Sequence, residues 1–105
     1  MTSRADRAQR WARLEQDVAQ EKAAALGRAG ERLESALAEA AALARALAEA
    51  RDPAARQRLV ADYEAARQRA IAARLALVVQ REAIGLRQHR LLDQHFPEPP
   101  RLRVD

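Results

Sequence analysis

His89, Asp93 and His95 are the only residues in the chain whose types together resemble a metal site. On a helix, His89 and Asp93 stand four apart and share a face, whereas His95 falls well off it. No further ligand follows at a metal-site spacing, no HExxH pattern exists, and the chain has no cysteine. The group reads as the polar end of a helix, where a cationic histidine also suits the dipole. No metal or other cofactor is expected. General acid–base chemistry needs a carboxylate held in a pocket, but the glutamates here are spread among arginines at surface spacings. Ser3 and Ser35 are the only serines and lie far from either histidine. Gly27-Arg28-Ala29-Gly30 falls inside a helical pattern instead of after a strand, so it is no phosphate loop. Enzymatic activity is not expected.

Arginine offers the other candidate chemistry. Arg56, Arg67, Arg74 and Arg81 lie within about 40° of one another on a helix and form a basic ridge. The net charge is +4, and the excess lies in the second half, after Asp52. This pattern supports binding of nucleic acid or another polyanion. Against it, no aromatic residues interleave for base stacking, and no helix-turn-helix or basic-zipper pattern is present. The competing interpretation is that these arginines border apolar seams, with their stems on apolar surface and their heads paired with acids of a neighbouring chain. The segment around Trp11 and the Pro97–Pro100 spacing are weaker signals, for a membrane surface and a proline-reading domain respectively.

The elements that would position these residues are helices. The chain has 105 residues and 3% aromatics, and it is dominated by alanine, leucine, arginine and glutamate, a long-helix composition. Ser3 and Asp6 form a capping-box pattern that opens a first helix of about residues 3–50. Its apolar stripe runs through Trp11, Leu14, Val18, Ala25 or Leu26, Ala29, Leu33, Leu37, Ala40, Ala44 and Leu47. The stripe passes Gly27 and Gly30 without a phase jump. Continuation, with the glycines admitting a neighbour's bulk, is favoured over a break that would give three helices. Asp52 is an N-cap and Pro53 suits the first helical position. A turn at 51–52 therefore leads into a second helix of about 53–95, and the two form a long antiparallel hairpin over residues 1–96. The register places Ala40 beside Tyr63, Leu26 beside Leu77, and Trp11 beside Leu91 and Leu92, with Phe96 folding back over Trp11. Residues 97–105 read as a proline-rich extended tail.

The second helix carries two apolar stripes, and one partner helix covers only one of them. Ile71, Leu75, Val78, Val79 and Leu86 remain, and they are expected to form the interface of a homodimer, an elongated all-α four-helix bundle. A client protein helix is the other occupant considered. The expected role is non-enzymatic: a protein–protein interaction, adaptor or chaperone-like function, with nucleic-acid binding through the arginine ridge as the alternative. The architecture resembles small hairpin proteins of bacterial secretion and flagellar export, a likeness of fold alone. The use of arginine over lysine fits a GC-rich bacterial genome. No secretory leader and no membrane span are read in the sequence, and a cytoplasmic location is expected.

Overall fold

A computed structural model describes residues 3–102. Met1, Thr2 and the last three residues of the expected tail, 103–105, lie outside the described residues. The protein is all-helical: α1 (Arg4–Glu49) and α2 (Pro53–Ala83) are long and packed against each other, and α3 (Arg90–His95) is a short return helix. No described residue is in a strand, and no described helix is long and apolar enough to cross a membrane. The molecule measures 76 × 25 × 15 Å, with a radius of gyration of 20.9 Å. A compact domain of this length would be near 13 Å.

The helix starts follow from local chemistry. The Ser3 hydroxyl accepts from the Asp6 amide at 3.0 Å and the Asp6 carboxylate accepts from the Ser3 amide at 3.3 Å, a reciprocal capping box. The Asp52 carboxylate accepts from the Ala55 amide at 2.9 Å, and Pro53 opens α2 where an amide hydrogen would have no partner anyway. The antiparallel hairpin is therefore closed at Arg51-Asp52, and Ala40, Tyr63 and Ala66 share one buried cluster, as the register requires.

The other end of α2 corrects the expected boundary. The helix stops at Ala83, about twelve residues before the expected end near His95. Gly85 takes a φ of +93°, the left-handed region that suits glycine. Its amide donates to the Glu82 carbonyl and the Leu86 amide to the Arg81 carbonyl, at 3.0 and 2.9 Å. This pairing of carbonyls closes a helix C-terminus in the Schellman manner. The chain then reverses, and α3 and the proline segment return along the α1–α2 pair.

Two further expectations change with that boundary. Leu92 does not meet Trp11; it packs with Ala29, Leu33 and Leu77, and Phe96 borders the same cluster. Trp11 lies about 27 Å away from Ala29 along α1 and is 64% exposed. Gly27 and Gly30 do lie inside a continuous α1, but a Cβ built on either meets nothing within 4 Å. No close neighbour therefore explains them.

Candidate interaction surface

The four ridge arginines are brought together on α2, and each binds its own chain. The Arg56 Nη1 donates to the Leu47 and Ala50 carbonyls, both at 2.8 Å. α1 has no basic residue in its last turn, so this guanidinium supplies both the donors and the charge that a helix C-terminus lacks. Arg67 is 7% exposed, donates through Nε to the Pro99 carbonyl at 3.0 Å, and pairs with Glu64 at 3.2 Å. Arg74 forms an ion pair with Asp93 of α3, and its buried Nε has no hydrogen-bond partner. Arg81 donates to the His89 Nδ1 at 3.2 Å and to the Gln88 carbonyl at 3.1 Å.

Three of the four, Arg67, Arg74 and Arg81, thus form the seam on which the returning segment docks. Tyr63 extends it, donating from its hydroxyl to the Pro100 carbonyl at 2.6 Å. Proline lacks an amide hydrogen yet keeps its carbonyl acceptor, which is why a proline-rich segment can be held by a row of side-chain donors. Arg67, Arg74 and Arg81 hold partners in residues 88–99 of the same chain, and Arg56 holds the last carbonyls of α1. The sequence showed the donors; nothing in it marked backbone carbonyls as their partners.

Two residues of the metal-like group, His89 and Asp93, serve this same seam, whereas His95 is exposed. The His89 Nδ1 accepts from Arg81, so its hydrogen is assigned to Nε2, which donates to Glu82 at 3.2 Å. Asp93 is engaged by Arg74. Among the described residues no group of three histidine or acidic side chains is placed to hold a metal ion. The Gln68 amide, followed by the Arg67 charge, holds the Glu64 carboxyl below its ordinary value.

Of the expected interface, Ile71 and Val78 are half-buried, and Val78 borders the Leu33–Leu77 cluster. Leu75 and Val79, one turn apart, stay 63% and 57% exposed, and Leu86 is exposed in the turn. A second apolar surface was not separated by sequence reasoning. Residues 3–24 are exposed throughout, because α2 ends before it reaches them. On this arm Trp11, Leu14 and Val18 present one stripe to solvent, with exposures of 64%, 51% and 37%. The signal that could have found it was Gly85 following Arg81, a helix C-terminus signature.

An open cleft of about 680 Å³ runs between α1 and the returning tail, lined by Leu37, Ala41 and Ala44 on one side and Phe96, Pro97 and Pro100 on the other. Glu34, Arg45, His95 and Glu98 line it as exposed side chains, and Tyr63 lines it from the buried side.

No family model, curated protein or solved structure matches the chain.

Proposed function

We propose that the protein is a non-enzymatic helical interaction protein, of adaptor or chaperone-like type, which works by presenting apolar helical faces to another helix. The observation that carries this reading is the exposure of large apolar side chains in ordered helices, on the arm and on the back of α2. Contiguous exposed apolar surface of this kind marks association sites. The simplest partner is a second copy. In the four-helix bundle centred on α2, the available contacts are Leu75, Val79 and Leu86, since the chain itself half-covers Ile71 and Val78. A client helix is the other occupant of these faces.

The alternative, nucleic-acid binding through Arg56, Arg67, Arg74 and Arg81, has less support, because each of those guanidiniums holds acceptors of its own chain. Sedimentation at rising protein concentration, in low and high salt and with or without DNA, tests the two. Apolar helix pairing gives assembly that persists in high salt. A chain that stays monomeric alone and co-sediments with DNA in low salt only would overturn the reading.

A further inference from the structure

We propose that the α1 arm pairs with the arm of a second copy, antiparallel, over about residues 4–21. The inference rests on the reading that the protein works through apolar helix pairing, and it names the partner and the seam. Its first support is continuity. Leu47, Ala40, Leu33 and Ala29 are the buried positions of α1, and Trp11, Leu14 and Val18 lie on nearly the same face, within about 100° of arc at 100° per residue. The stripe is one surface. α2 covers it from the turn toward Leu26, and past Ala83 the chain turns back, so among the described residues the same track beside the arm has no occupant from its own chain.

The second support is charge. The tip carries Arg4, Arg7, Arg10 and Arg13 with a single acid, Asp6, while Glu15, Asp17 and Glu21 follow toward the hairpin with a single base, Lys22. A parallel pair would set the basic tips against each other. An antiparallel pair sets each basic tip beside the other copy's acidic segment, and the positive end of the helix dipole adds to that attraction.

The register follows from packing the stripe into itself. When the numbers of facing core positions sum to about 25, Trp11 of each copy meets Leu14 of the other, and Val18 meets the stem of Arg7. Arg4 then faces Glu21, and Arg10 flanks Asp17, each twice by symmetry. The tip of one arm arrives where the other copy's α2 ends, near the exposed Ile84 and Leu86. Each arm thereby takes the place beside its partner's α1 that α2 occupies further along, and the two-fold arrangement closes without leaving a free arm.

Trp11 is the only tryptophan and the chain has no cysteine, so the full-length protein carries its own probe and accepts unique thiols. Sedimentation equilibrium should show a dimer, and the Trp11 emission should shift to the blue over the same concentration range. Leu14→Glu should weaken dimerisation at least tenfold while leaving the melting of the dilute monomer unchanged, because Leu14 touches no buried cluster. Arg10→Glu and Asp17→Arg should each weaken it several-fold, and the double variant should restore it. Mixed and oxidised, Arg4→Cys and Glu21→Cys should cross-link to each other in preference to themselves. Emission of Trp11 that ignores concentration would overturn the arm pairing, as would self-cross-linking of each thiol variant. Loss of the dimer in Leu75→Glu/Val79→Glu but not in Leu14→Glu would overturn it too, while leaving association through an apolar helical face intact.

Discussion

The two halves of α1 are made from the same residue types, carry the same stripe and sit in one uninterrupted helix, yet they have opposite environments. From about Leu26 to Leu47 the stripe is largely covered by α2 and, at Leu33, by the returning Leu92. From Arg4 to Ala24 every described side chain faces solvent. The difference is one of reach. α1 has 46 residues and α2 has 31, so at 1.5 Å per residue α1 outruns its partner by roughly 20 Å. A helix of marginal intrinsic stability gains most of its stability from packing. The covered half is thus the fold, and the arm is a surface held out by the fold.

The comparison is most sharply tested by one pair of substitutions. Leu33 is 1% exposed at the junction of α1, α2 and α3. Leu33→Ala should lower stability by about 2–5 kcal/mol, from lost apolar contact and the cavity left behind. Leu14→Ala, at concentrations dilute enough for monomers, should change it by no more than about 0.5 kcal/mol. Thermal melts followed by circular dichroism compare the two. Equal losses would mean the arm is packed within a single chain.

A smaller effect is expected at the return seam. Arg67→Ala removes the donors to Pro99 and Glu64 from a site that is almost closed to water. The cost should be about 1–3 kcal/mol, the usual range for stranding a buried hydrogen-bond partner. Limited trypsin digestion should then cut at Arg87 and Arg90 sooner than in the wild type, because the segment that docks on the ridge is loosened. An unchanged digestion pattern would show that apolar contact at Leu92 and Phe96 holds the segment by itself.

The glycines give the smallest effects, and with opposite signs. Gly85→Ala forces a side chain into the left-handed region and should cost about 1–2 kcal/mol. Gly27→Ala meets no neighbour within 4 Å and should stabilise α1 by up to about 1 kcal/mol. Chemical denaturation of each variant reads the sign. A destabilising Gly27→Ala would indicate a close neighbour at that point of α1.

Short-range features were fully legible. Ser3 with Asp6, and Asp52 with Pro53, act through hydrogen bonds spanning three residues, so the residues that make the cap are adjacent in the sequence. The antiparallel direction followed from the brevity of the turn, and Ala40 beside Tyr63 followed from direction and periodicity together. Gly85 was legible in principle, since Arg81 in the last turn and glycine just beyond it mark a helix end. The apolar period continues through Leu91 and Leu92, and a period alone does not distinguish one long helix from two.

The sequence by itself determined that the chain is helical, where the two long helices begin, the position of the hairpin turn and the fact that α2 has apolar surface to spare on a second side. Only the tertiary structure decided what meets those surfaces. Periodicity specifies a face but not its occupant, because apolar contact is non-directional and any well-shaped apolar segment satisfies it. The arginine ridge shows the same division. Its four donors could be read from residue spacing, but their acceptors are mostly backbone carbonyls at Leu47, Ala50, Gln88 and Pro99. Every residue carries a carbonyl, so no pattern of residue types could single out those four. The arm, in turn, exists because α2 is shorter than α1, a comparison of two lengths that only the reversal at Gly85 set.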